Sequence, residues 1–188
     1  MSRPVSIAFI CASLRHGSIN QKLETALMIK AAAMGAAPTK VDLNDYAMPL
    51  FHGDLKTPDT VIALIEHLKG FDAVVIVTPE YNGSLPPLLK NTIDWTTTVE
   101  TGHLTGPIYG IASCTPGPMS GIMCLRQLHY ILNRVGADVV TTHVGCGHAA
   151  AAFDGEGRLS AEPAKGLADK MFSQIITRVE QTHSVKPS

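Results

Sequence analysis

The stretch Ile7–Leu27, IAFICASLRHGSINQKLETAL, passes from an apolar run through a loop of small polar residues into a helical pattern. The apolar run is nearly continuous rather than alternating, as in strands covered on both faces of a parallel sheet. After Ser18, apolar residues at Leu23, Ala26, Leu27 and Met34 keep helical spacing, and Ser18 with Gln21 has the spacing of a capping box. A strand that feeds a helix through a short polar loop is the repeating unit of an α/β sheet.

The rest of the chain repeats that unit. "VSIAFI" from Val5, "AVVIVT" from Ala73, "IYGIASC" from Ile108 and "ADVVTTHV" from Ala137 read as buried strands, with a weaker one, "KVDL", from Lys40. Helical patterns lie between them, over Asp59–Gly70, after Pro86 and Pro87, and over Gly121–Gly136. A last helix is expected from near Ser160, carrying Leu167, Met171, Ile175 and Val179. Strands alternating with helices, about five of each, predict an α/β fold with an open, doubly wound parallel sheet. With no repeat and no linker, the expectation is one domain over residues 1–188.

Composition narrows the function classes. The formal net charge of −1 gives no basic surface for nucleic acid. Charged residues are 16% of the chain, against about 25% in a typical soluble domain, so part of the surface is expected to be covered in a homo-oligomer. No apolar run approaches the ~20 residues of a membrane span, and the opening "MSRPVSIAFI" is too short in apolar residues for a signal peptide, so a cytoplasmic protein is expected. The cysteines, Cys11, Cys114, Cys124 and Cys146, show no metal or disulfide spacing and read as reduced, buried thiols. In the 2-1-3-4-5 order usual for such sheets, strand three would separate Cys11 from Cys114 by roughly 9–10 Å, too far for a disulfide. "HVGCGH", with His143, Cys146 and His148, lacks a fourth ligand and reads as a strand end rather than a metal site.

In such a sheet, ligands bind beyond the carboxyl ends of the strands, where the strand order reverses. Three loops leave strands there. In the first, Ser13, Arg15, Ser18 and Asn20 set hydroxyl, amide and guanidinium donors at the start of a helix. That set suits a terminal phosphate; the alternative is a simple helix cap beside a solvated arginine. It lacks the lysine and Mg²⁺-binding hydroxyl of a nucleoside-triphosphate loop. In the second, Pro79 ends the strand, and Tyr81, Asn82 and Gly83 make a turn that could meet the edge of a flat heterocycle, or simply close a strand–helix unit. In the third, "SCTPGPMSG" from Ser113, a rigid turn and a binding role are equally open.

The first two loops together resemble the NADPH-dependent FMN reductase family, whose pattern is roughly G-S-x-R-x-x-S-x-N followed by P-E-Y-N-G-S-x-P-x-x-L-K-N-x-I-D-W. The second pattern is matched by Pro79 to Ser84, Pro86, Leu89, Lys90, Asn91, Ile93, Asp94 and Trp95. The resemblance implies a flavodoxin-like five-stranded sheet in the order 2-1-3-4-5, and one FMN per subunit with NADPH or NADH as co-substrate. It also implies a homodimer or homotetramer with the flavin near the interface. By that likeness Ser13, Arg15, Ser18 and Asn20 hold the FMN phosphate, Pro79 to Gly83 line the isoalloxazine, and Ser113 lies on its far side. The implied activity is a hydride passed from NAD(P)H through FMN to a small electron acceptor such as a quinone, by a ping-pong mechanism with no catalytic side chain. A flavodoxin-type electron carrier or a flavin-responsive regulatory protein is the alternative. The chain departs from the pattern at Ala12, where glycine is usual and the loop is expected to tighten. It departs again at Pro87, where glycine is common, and in "TPGPMSG", which lacks paired glycines. Trp95 is left to either core or interface.

Overall fold

The computed structural model describes residues 3–185. Strands β1 (Ser6–Cys11), β2 (Ala37–Val41), β3 (Ala73–Val77), β4 (Ile108–Cys114) and β5 (Asp138–Val139) pair in the order β2-β1-β3-β4-β5, every ladder parallel. A further short strand, β6 (Val144–Cys146), pairs with the upper half of the same edge of β4. The helices are α1 (Ile19–Ala33), α2 (Asp59–Lys69), α3 (Pro87–Val99), a single turn α4 (Gly102–Thr105), α5 (Ile122–Arg134) and α6 (Ala164–Val185). This is the doubly wound, flavodoxin-like order, with its reversal between β1 and β3.

Apolar residues on successive positions of β1, β3 and β4 face opposite layers. Ile7, Phe9, Val75, Ala112 and Cys114 pack with Leu23 and Leu27 of α1 and Met171, Phe172 and Ile175 of α6. Ala8, Ile10, Val74, Ile76, Tyr109 and Ile111 pack with Leu64 of α2, Leu89 of α3 and Leu128 of α5. Burial on both faces is why these strands read as continuous apolar runs. Truncating Phe172, fully buried with its ring 6.2 Å from that of Phe9, to alanine would cost about 3–5 kcal/mol.

The structure moves several expected boundaries. β2 starts at Ala37, ahead of "KVDL", because an edge strand mostly exposed needs no apolar run. "ADVVTTHV" is two strands with a break at residues 140–143, where Gln174 of α6 accepts the Thr142 N–H at 3.1 Å in place of a ladder partner. α6 begins at Ala164 rather than near Ser160, since Ser160 and Ala161 turn back to the Ala152 carbonyl. α3 opens with Pro87 at its first position, where a missing N–H costs nothing. No helix among the described residues is long and apolar enough to cross a membrane.

Candidate active site

The loops after β1, β3 and β4 leave the same end of the sheet, and the first two meet in a cleft of about 150 Å³. Ser13, Arg15, Ser18 and Asn20 line it from one side, Pro79, Glu80 and Tyr81 from another, and Cys114, Thr115 and Pro116 from the third. Seven of the sequence-predicted site residues thus converge at the switch point. A larger hollow of about 780 Å³ lies beside it, between α1 and residues 149–157, sharing Ser18, Ile19 and Pro116 with the cleft.

In the first loop Ser18 is the N-cap of α1, its hydroxyl accepting the Asn20 N–H at 3.2 Å. The capping box does not close, because Gln21 reaches back to the Ser13 carbonyl at 3.0 Å and the Ser18 N–H goes to the Arg15 carbonyl. These bonds fold residues 13–18 over the positive end of the helix. Ser13 and Ser18 are buried and Arg15 is exposed at the rim. Ala12 donates its N–H to the Val77 carbonyl and keeps a negative φ, so the glycine of the family pattern is not required there. Asn20 has a different use from the one its polarity suggests. Its buried amide donates to the Cys114 carbonyl at 3.0 Å and accepts the Cys114 N–H at 2.9 Å, clamping α1 to the end of β4.

The second loop is a two-residue turn. Tyr81 and Ser84 exchange both backbone hydrogen bonds at 3.0 Å, and Asn82 and Gly83 between them have φ of 52° and 75°. Positive φ at both central positions is the requirement that makes Asn-Gly the favoured pair. Nothing lies within 4 Å of where a Gly83 Cβ would sit, so its backbone is open to a ligand. Glu80 does not offer its carboxylate to the cleft: it accepts the N–H groups of Met123 and Cys124, each at 3.0 Å, at the start of α5. Gln127 of α5 accepts from the Ser84 hydroxyl at 2.8 Å and the Leu85 N–H at 3.0 Å. The tail of the motif holds residues 49–51: Asn91 bonds the Phe51 N–H and the Pro49 carbonyl, and the buried Trp95 indole also reaches that carbonyl, at 2.7 Å. Trp95 is therefore a core residue, edge-on to Phe51.

In the third loop Ser113 is fully buried on the α5 side of β4, where it accepts from the Cys124 thiol at 3.5 Å. Gly121, at φ 71°, closes over it so tightly that a Cβ would lie 2.1 Å from the Ser113 hydroxyl. Ser113 supports the site from below, and the lining comes from the half-buried Thr115, whose hydroxyl its place in the third loop already offered, and the exposed Pro116. Burial, and the Glu24 charge after it, pushes the Cys11 thiol up to about 12, and burial pushes Cys124 up to about 11, so both stay protonated. His143, Cys146 and His148 do not converge: His143 pairs with His129 at 3.0 Å, Cys146 is buried against β4 and His148 is exposed.

A doubly wound sheet with a small cleft at its switch point, at a helix N-terminus and beside an open glycine turn, is the arrangement in which α/β proteins bind nucleotides. The family model described as NADPH-dependent FMN reductase matches residues 5–151. The quinone reductase of Escherichia coli strain K12 is 37% identical over 139 residues, 70% of this chain and 71% of that protein. An NAD(P)H-dependent FMN reductase of Pseudomonas aeruginosa is 29% identical over 182 residues, 93% of this chain and 95% of the relative. Among solved structures, the flavoenzyme NAD(P)H:(acceptor) oxidoreductase FerB of Paracoccus denitrificans superposes with a TM-score of 0.77 at 24% identity, over 94% of this chain and 98% of FerB, a likeness of fold. The chain belongs to the NADPH-dependent FMN reductase family. It is an oxidoreductase of that family, working with FMN and NAD(P)H.

Proposed function

We propose that the cleft holds the FMN phosphate and that the Tyr81–Ser84 turn borders its ring, in one FMN-binding domain spanning the chain. The observation that carries this reading is the convergence of the two loops on one small cleft at the switch point. The donors fit a phosphate: the Ser13 and Ser18 hydroxyls, the first-turn N–H groups of α1 and the planar Arg15 cation. Asn20 acts by position, fixing the helix start against β4. The turn spends the N–H groups of Tyr81 and Ser84 on each other and leaves those of Asn82 and Gly83 at its tip. Facing the polar edge of the ring, they would stabilise negative charge gained on reduction.

FMN held there would supply the redox chemistry, a hydride exchange between NAD(P)H and a quinone-like or other small oxidised acceptor that use the site in turn, in ping-pong order. The chain contributes binding and orientation, and no side chain is assigned a proton-transfer role. The cleft of about 150 Å³ is smaller than the roughly 300–1,000 Å³ of a pocket enclosing a drug-sized ligand. Tyr81, Met119, Ile122 and Met123 are exposed on the turn and at the start of α5. A second copy covering these side chains would complete the wall around the ring, which supports a homodimer or homotetramer with the flavin near the interface.

The test is a visible absorption spectrum of the FMN-loaded protein, taken after anaerobic NADPH and again after a quinone. Bleaching by NADPH and recovery with quinone are expected. A flavin spectrum that NADPH leaves untouched would replace this reading with that of an electron carrier or regulatory protein.

A further inference from the structure

Cys114 and Cys146 are register partners on β4 and β6. Their side chains lie on the same face of the sheet, in the core between the strands and helices α1 and α6. Neighbouring strands stand about 4.7–4.9 Å apart, inside the Cα separation of roughly 4.4–6.8 Å that a disulfide requires. The Cys146 thiol also reaches the Gly147 carbonyl, at 3.8 Å, and the proximity of the two cysteines raises the Cys114 pKa and lowers that of Cys146. The other two cysteines have no such neighbour. Cys11 is separated from β4 by β3, and Cys124 sits in the opposite layer, bonded to Ser113 and to the Gly121 carbonyl.

The position of the pair gives it a route to the cofactor cleft. Cys114 lines the cleft, and both its backbone groups are held by the Asn20 amide at the start of α1. The Cys146 carbonyl accepts the N–H of Thr115, another cleft residue, at 2.9 Å. Any change in the spacing of the two sulfurs therefore bears on the segment where α1 begins and on the far wall of the cleft.

We propose that Cys114 and Cys146 form a disulfide on exposure to hydrogen peroxide, and that closing it loosens the cofactor cleft through Asn20 and Thr115. Peroxide is small and uncharged and enters by the cleft that Cys114 lines. The Cys146 sulfur, the one of the pair whose pKa is lowered, attacks one peroxide oxygen as thiolate. The O–O bond breaks, hydroxide leaves with the thiol proton as water, and Cys146 becomes a sulfenic acid. The Cys114 sulfur then displaces that hydroxyl: the S–S bond forms, the S–O bond breaks, and the second thiol proton leaves with hydroxide as water. Two thiols and one peroxide give one disulfide and two waters, the sulfurs losing two electrons and the peroxide oxygens gaining them. The burial of both sulfurs makes the reaction slow, and it reverses with a dithiol reductant.

The test uses the FMN-loaded protein treated with hydrogen peroxide, quenched with catalase and alkylated after denaturation. The expected result is a loss of two hydrogens in intact mass, a linked Cys114–Cys146 peptide, and reversal by dithiothreitol. FMN release, followed by fluorescence on dilution, is expected to quicken by roughly fivefold or more in the oxidised protein. Cys146→Ser should abolish both changes. Four alkylated cysteines after peroxide, or oxidation confined to Cys11 and Cys124, would overturn the proposal without needing any variant. The link to the cleft rests on the reading of that cleft as the FMN site, whereas the mass measurement does not. A disulfide that forms with FMN release unchanged would overturn the coupling while the FMN affinity of Arg15→Ala still judges the site.

Discussion

The carboxylate of Glu80, in the turn after β3, accepts the N–H groups of Met123 and Cys124, each at 3.0 Å, at the head of α5. It supplies from a distant loop the cap that Gly121, with no side chain, does not give its own helix. The turn that borders the proposed flavin site and the helix behind it are thus one mechanical unit, reinforced by Gln127.

Glu80→Ala should lower stability by about 1–2 kcal/mol, the worth of a helix cap with a charge at the positive helix end. It should also weaken FMN binding, because the turn loses its anchor. Glu80→Gln keeps an acceptor oxygen and should lose less of both. Denaturant unfolding alongside FMN titration separates the two effects, and equal losses in both variants would show that the charge rather than the bond is what counts.

Asn20→Ala should be the more damaging change. It leaves the buried N–H and C=O of Cys114 without partners, at about 2–4 kcal/mol for the two groups. A denaturant midpoint unmoved by this substitution would contradict the clamp.

Two buried groups should give stability opposite dependences on pH. His103 is buried with both ring nitrogens unpartnered, and burial holds its pKa down at about 4 against an ordinary 6.5. Below pH 6.5 the unfolded chain takes a proton that the folded one refuses, so stability is lost as pH falls towards 4. Glu24 is buried on α1, and burial lifts its pKa to about 7, with Lys40 opposing and Asp42 adding to the rise. Here the folded chain takes the proton first, so stability is gained as pH falls from 7 to 4.5. The two offset each other over the window they share. Glu24→Gln should expose the loss due to His103, and His103→Leu should expose the gain due to Glu24. Parallel pH profiles for wild type and both variants would exclude this pairing.

The fold was legible because β1, β3 and β4 are buried on both faces and must be apolar throughout. β2 was harder to see because an edge strand such as "APTK" carries no such constraint. The break after Val139 was hidden because its cause, Gln174 of α6, lies more than thirty residues away. The same distinction divides the site. Asn82 and Gly83 act through their own backbone angles, which their residue types announce. Glu80, Asn91 and Trp95 act through Met123, Cys124, Phe51 and Pro49, partners that only the folded chain brings near. Ser113 could have been placed from sequence: alternation along β4 sets it on the same face as Tyr109 and Ile111, under α5 rather than in the cleft. The Cys114–Cys146 pair depends on the β4–β6 register, and a continuous fifth strand gave no reason to expect it.

The most direct test of the central claim, that the cleft between the first two loops holds the FMN phosphate, is to compare FMN with riboflavin as ligands of wild-type protein and Arg15→Ala. A charge-assisted bond to phosphate worth about 1.5–3 kcal/mol predicts that the substitution weakens FMN binding by roughly tenfold to a hundredfold. Riboflavin, which has no phosphate, should bind the two proteins alike. Equal loss for both ligands, or no loss for FMN, would place the phosphate elsewhere.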